Sequence, residues 1–240
     1  MASRQEEKER RRAQRLAEEE KAQAAARRAR RMQMVGGSVL VVAIVVVAAV
    51  LIGSGGGSSG GKAPSAKQGA SVPIPSPGAL AKAGKLPQAA KAAGCVNKTF
   101  PAEGRTHVTS TVHYRTNPPT SGNHNPTPAL DGIYDPGNTP ATEHYVHTLE
   151  HGRVELQYRP GTPRHTRQQL ETLFDEPMHG LAGYKMLLFQ NNTNMPYAVA
   201  ATAWTHLLGC PKMNDKVFDA VRAFRAAYTD QGPEPGIPPN

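Results

Sequence analysis

The chain is poor in cysteine. It has two, Cys95 and Cys210, far apart in sequence, and no C-x-x-C. That excludes a dithiol redox centre of the thioredoxin kind, because neither thiol has a resolving neighbour. Two readings of the pair stay open: a disulfide, or two thiolates on a metal. Cys95 stands alone at the edge of the foldable sequence, which favours the disulfide. Closing a loop of that length contributes about 4–5 kcal/mol on the chain-entropy model.

Charge is missing from Met34 to Gly53, and residues 39–52 are unbroken apolar sequence. About 20 such residues cross a hydrocarbon core of roughly 30 Å, so the 34–53 segment is expected to be a transmembrane helix. A buried core helix fits the length and flanks poorly. A cleaved signal peptide fits poorly too, because the preceding charged stretch is long and no A-x-A site follows. The net charge of +9 is uneven: residues 1–31 carry eleven Lys/Arg against six Glu. The positive-inside rule therefore puts this flank in the cytoplasm and the rest outside. A basic run can also bind nucleic acid. Beside a membrane segment, topology and anionic lipid explain it more simply, and no nucleic-acid partner is expected.

There is no internal repeat, and residues 4–31 have helix formers without an apolar stripe. The expected organisation is a basic helical cytoplasmic segment (1–33), the transmembrane helix (34–53), a Gly/Ser/Pro/Ala tether (54–94), a folded domain (95–230) and a loose tail (231–240). The tether is a flexible chain with an r.m.s. reach of roughly 35 Å.

Within the domain, Thr106–Arg115 alternates and is β-branched, so it reads as a strand. So do Arg153–Arg159, Lys185–Gln190 and Tyr197–Trp204, the last two joined by a hairpin-like turn over Asn191–Pro196. Thr166 opens a capping box for a helix carrying Leu170, Leu173 and Phe174. Asn214 caps a last helix whose Val217, Val221, Phe224 and Tyr228 share one face. The expected fold is α+β, a two-layer extracytoplasmic domain with a mixed or antiparallel sheet.

Histidine is absent from the first hundred residues, and all nine lie beyond. Three potential ligands sit in Val146-His147-Thr148-Leu149-Glu150-His151-Gly152. In a helix, His147 and His151 share a face at i and i+4. Gly152 then ends it in the left-handed conformation. Upstream, Pro118-Pro119-Thr120-Ser121-Gly122-Asn123-His124 is a rigid loop that can hold His124 at a site. The candidate metal ligands are His124, His147, Glu150 and His151, with His113 nearby; zinc or copper accepts such N/O donors. Met178, Met186, Met195 and Met213 would add soft ligands for Cu(I), unless they pack in the core.

Three functions are weighed. The first is transition-metal binding. The second is a structural or interaction module, for envelope proteins or cell wall, in which the His/Glu cluster stiffens the PPTSG loop. The third is an H-x-x-E-H metallohydrolase, whose motif needs a long helix; Gly152 cuts the helix short, so binding is favoured over catalysis.

Pro118-Pro119-Thr120-Ser121-Gly122-x-His124, His147-x-Leu149-Glu150-His151-Gly152, Ala203-Trp204 and Cys210 together resemble a bacterial family of unknown function. It is typified by PPTSGxH and HxLEHG motifs in membrane-anchored or secreted proteins. The resemblance spans roughly residues 95–235. It implies an extracytoplasmic domain and marks His124, His147, Glu150 and His151, with no established activity.

Overall fold

The computed structural model describes residues 72–239. The expected cytoplasmic segment, transmembrane helix and most of the tether lie outside the described residues. Among the described residues no helix is long and apolar enough to cross a membrane.

Strand β3 (Val154–Tyr158) is central, and both its faces are buried. Alternation sends Val154, Leu156 and Tyr158 into the main core. Glu155 and Gln157 point to the other face and are buried there as well. The remaining strands are β1 (Val96–Thr99), β2 (Gly132–Ile133), β4 (Met186–Gln190), β5 (Val199–Ala203) and β6 (His206–Cys210). They form one sheet in the order β1-β6-β5-β3-β4-β2. β3 and β2 run parallel to β4, and the other pairs are antiparallel. The sheet is therefore mixed and the class α+β, as the sequence leads one to expect.

Among the described residues five helices accompany it: α1 (Ala79–Lys82), α2 (Leu86–Ala93), α3 (Thr142–Glu150), α4 (Arg164–Phe174) and α5 (Asp215–Tyr228). Residues of α2, α4 and α5 share the main core with one sheet face. Tyr145 and Val146 of α3 pack on Leu187 and Phe189, on the opposite face. The sheet thus lies between two covers, and a strictly two-layer description is too simple. The N-terminus of α5 is fixed as expected: the Asn214 side chain accepts from the Lys216 N–H, and its amide donates to the Ala93 carbonyl.

Several expectations are corrected. Thr106–Arg115 is not a strand; its regular pairing is a single parallel bridge from His107 to His124. β-branched residues alone cannot make a strand where no neighbour offers a ladder. β4 and β5 are not a hairpin, because β3 lies between them. The hairpin is β5–β6, turning at Trp204 and Thr205, and the sequence reading missed β6. Helix α4 starts at Arg164, directly after Pro163, ahead of the Thr166 capping box. The end of the tether is folded too: α2 buries Leu86, Ala89, Ala90 and Ala93. Small alanines let it approach α5 closely, and they resemble linker composition in the sequence. The tail is also tied down, with Arg153 donating to the Ile237 and Pro238 carbonyls.

Cys95 and Cys210 form a disulfide across the β1–β6 pair. It fastens an edge strand and α2 to the sheet. Replacing both with serine is expected to lower unfolding free energy by about 4–5 kcal/mol on the chain-entropy model. Urea denaturation of the two proteins checks this, and a loss under about 1 kcal/mol would contradict it.

Candidate metal centre

The site is built on the last turn of α3. Gly152 follows with φ +75°, and a Cβ there would lie 2.8 Å from the Asp230 backbone. The chain can therefore turn straight from α3 into β3, with the Asp230 N–H donating to the Gly152 carbonyl. The Glu234 N–H caps the Glu150 carbonyl. This close packing of the tail leaves His147, Glu150 and His151 at most 8% exposed.

The PPTSG loop brings the next donor. The Thr120 carbonyl accepts from Thr205, and the Ser121 hydroxyl accepts from the Glu103 N–H. Gly122 has φ +139°, and a side chain there would meet the Tyr114 ring at 2.8 Å. Tyr114 in turn donates to the Asn123 carbonyl. His124 is thereby fixed with no exposure at all. Its backbone forms the bridge that carries His107 into the site: the His124 N–H donates to the Thr106 carbonyl, and the Val108 N–H to the His124 carbonyl. Asn125 lies along α3, its N–H donating to the Glu143 carbonyl.

One ligand atom each from His107, His124, His147 and Glu150 lies within 4.8 Å of all the others. His124 Nε2 is 2.9 Å from Glu150 Oε2, and His107 Nε2 is 4.0 Å from the same oxygen. Ligand atoms on a tetrahedral zinc ion are separated by about 3.3 Å, given bonds of roughly 2.0–2.1 Å. The buried pair is already near that spacing. His107, with a side chain 49% exposed, has room to close the remainder.

The tautomers follow from the outer partners. His124 Nδ1 lies 2.8 Å from the Gly122 carbonyl, and His147 Nδ1 lies 2.6 Å from the Asn125 carbonyl. Carbonyls only accept, so both Nδ1 atoms carry the proton. In the neutral rings both Nε2 atoms present lone pairs, the arrangement of metal-binding histidines whose far nitrogen is held by a carbonyl. Burial holds His147 down to about 4, outweighing the Asn125 carbonyl, so it is neutral at pH 7. His151 is also held below the usual histidine range, by burial and then by Arg153.

His151 Nε2 lies 3.0 Å from His147 Nε2 and 3.6 Å from the Glu234 carboxylate. It flanks the four-atom group, and its contact takes the same His147 Nε2 lone pair that a metal would use, so a bound ion would replace it. His113 is not brought to the group. It is exposed in a groove lined by Tyr114, Asn117 and Asn192, because 106–115 is no strand and cannot put His107 and His113 on one face. His107 takes the place expected of His113. The signal in the sequence was weak, since what recruits His107 is backbone pairing to His124. Three of the four methionines pack in apolar surroundings: Met186 and Met195 are buried in apolar clusters, and Met213 packs against the main core, while Met178 forms an isolated bridge with Leu181.

Over residues 107–240 the chain matches the family described as "Protein of unknown function (DUF3105)". The chain belongs to the DUF3105 family. No curated protein matches it, and no solved structure does. The matched region of this DUF3105 chain contains all four grouped residues and His151.

Beneath the site a buried polar network ties α3 to the sheet. The Thr202 hydroxyl and the Gln157 amide both donate to Glu155 Oε2, at 2.7 and 3.0 Å. The Thr148 hydroxyl donates its one proton to the Tyr145 carbonyl at 2.7 Å, yet sits 3.3 Å from Glu155 Oε1. A protonated Glu155 satisfies that last contact by donating to Thr148. Complete burial also raises Glu155 well above the usual carboxylate range, against the effect of its hydrogen bonds. The proton is then held more tightly folded than unfolded. This stabilisation is full below an unfolded value of about 4.3 and is lost as pH rises through the raised folded value. Glu155→Gln, which keeps the shape and cannot ionise, is expected to flatten the fall in stability above about pH 4.3. Urea unfolding from pH 4 to 8 checks this; parallel curves for the two proteins would refute the protonated assignment.

Proposed function

We propose that this DUF3105 domain binds a transition metal, zinc or copper, through His107, His124, His147 and Glu150, and that it binds rather than catalyses. One observation carries the reading. His124 Nε2 faces the Glu150 carboxylate at 2.9 Å while Nδ1 is committed to the Gly122 carbonyl. Although so close, His124 Nε2 makes no well-angled hydrogen bond. With Nδ1 committed to a carbonyl, a metal ion held between Nε2 and the carboxylate would satisfy both of these buried atoms. Three imidazoles and a carboxylate suit Zn(II) or Cu(II), and the packed methionines give Cu(I) no support. The 34–53 segment and the basic flank support a single-pass anchor, with this domain outside, where the Cys95–Cys210 disulfide would persist.

The purified full-length chain is expected to carry about one equivalent of zinc or copper per chain, a tetrahedral site's complement. In the His124→Ala, His147→Ala double variant that metal should be gone. Elemental analysis, before and after loading with each ion, decides. No bound metal in the parent protein even after loading would end this reading.

A second reading has its own observation. Arg105 Nε lies 3.1 Å from Glu150 Oε1, so the carboxylate already has one cation, and the cluster can serve as a brace for the PPTSG loop. Such a brace would present a stiff surface to an envelope protein or cell wall. Arg105→Ala separates the two. Under metal binding, removing a competing cation leaves metal content intact and tightens affinity. Under the bracing reading it leaves Glu150 buried without its ion pair and lowers stability by about 3 kcal/mol or less, since the arginine is partly exposed. Metal titration and thermal unfolding of the one variant measure both.

A further inference from the structure

The tail after α5 brings a second acid to the histidine group. The Glu234 N–H donates to the Glu150 carbonyl, which sets the two glutamates together at the end of α3. Arg105 spans their carboxylates: Nε lies 3.1 Å from Glu150 Oε1, and Nη2 lies 3.7 Å from Glu234 Oε1. A cation therefore already sits between the two acids, and it is loosely held. The arginine side chain is 58% exposed, and its distance to Glu234 is too long for a hydrogen bond. Glu150 Oε1 is buried yet makes no well-angled hydrogen bond.

His151 borders the same position. Its Nε2 lies 3.6 Å from Glu234 Oε2, and its Nδ1 is buried without a partner. Its one hydrogen bond runs to His147 Nε2 at 3.0 Å. His147 keeps its proton on Nδ1 for the Asn125 carbonyl, so His151 is the donor in that bond. An ion on His147 takes the accepting lone pair, and His151 is left buried with no partner. Such a group is costly unless something else satisfies it. With its proton moved to Nδ1, His151 offers the Nε2 lone pair beside Glu234.

We propose that this position is a second transition-metal site, held by His151 Nε2, Glu234 and Glu150 Oε1, with the Glu150 carboxylate bridging the two ions. The inference rests on the first site proposed above, because an ion there is what frees His151. Bridged ions in two-metal sites lie about 3.5–4 Å apart, a spacing that the two oxygens of one carboxylate can serve. One imidazole and two carboxylates suit Zn(II), with the fourth position left to water. The Glu234 side chain is 43% exposed and is free to close on the ion. Arg105 must swing out first, so the second ion binds more weakly than the first and enters only on loading.

Zinc is the probe, titrated calorimetrically into the full-length chain after metal is stripped with EDTA and the chelator dialysed away. Two binding events are expected, the second weaker by about tenfold or more, since it displaces a cation and approaches a like charge. Glu234→Ala and His151→Ala should each remove the second event and leave the first. Arg105→Met should tighten the second by about two- to fivefold, as expected for loss of an exposed ion pair. Should His151→Ala not fold, Glu234→Ala decides alone, because its backbone cap on Glu150 is kept. One zinc and never a second overturns the proposal and leaves the first site standing; no zinc at all overturns both. A second event that survives Glu234→Ala unchanged belongs to surface histidines and overturns it too. So does loss of both events in a folded Glu234→Ala chain, which would make Glu234 a ligand of a single ion.

Discussion

The domain depends on a carboxylate in an unfavourable place. Glu150 is 1% exposed and is the last helical residue of α3. Burial removes its water, and the negative end of the helix dipole adds to the cost of its charge. Nothing on α3 itself compensates. Positive charge or a hydrogen-bond donor must come from elsewhere in the chain, and the surrounding architecture supplies candidates. Arg105 approaches from an irregular segment, His124 from the PPTSG loop and His107 through its bridge to His124. A metal ion bound among the histidines would compensate the carboxylate more fully than a half-exposed arginine can.

The same requirement explains why so much loop is rigid. Residues 100–140 contain little regular structure, yet many of their backbone groups are hydrogen-bonded to side chains or to α3. Glu103 accepts from the Arg115 and Thr116 N–H groups, and Glu143 accepts from that of Val112. Arg153 is completely buried and pairs with Asp131, while its other nitrogens hold the tail. Loops fixed this way lose little entropy on binding an ion, which is the condition for a preorganised site. Below them, Glu155, Gln157 and Thr202 form a polar layer on the sheet that holds α3 at Thr148, between His147 and Leu149.

How legible this was depends on which interactions fix each part. Strands β3, β4 and β5 and helix α5 follow from local patterns, because apolar alternation or helical spacing survives in the fold. Glu155 and Gln157 look like a solvent face in sequence, since only tertiary structure tells that α3 covers them. The β4–β5 hairpin failed because adjacency in sequence is not adjacency in a sheet, and β3 took the place between. In the site, helical spacing paired His147 with His151, of which only His147 belongs to the four-atom group; Glu150 was readable from the H-x-x-E-H string and His124 from its rigid loop. His107 was not, because a long-range backbone bridge places it. The helical end of the tether was missed because α2 buries alanines, and alanine reads as readily as linker as it does as a packing face.

Placement of the four donors also sets how an ion would enter. His124, His147 and Glu150 are buried, whereas His107 and Arg105 are about half exposed. The buried three are held by α3 and the PPTSG loop, and moving them would disturb the core. The two exposed side chains can swing without that cost. An incoming ion would therefore displace Arg105 from Glu150 first, meet the buried trio, and be closed over last by His107. Affinity would then reside in the rigid three and exchange rate in His107, so the histidine least visible in the sequence would govern how fast the site fills and empties.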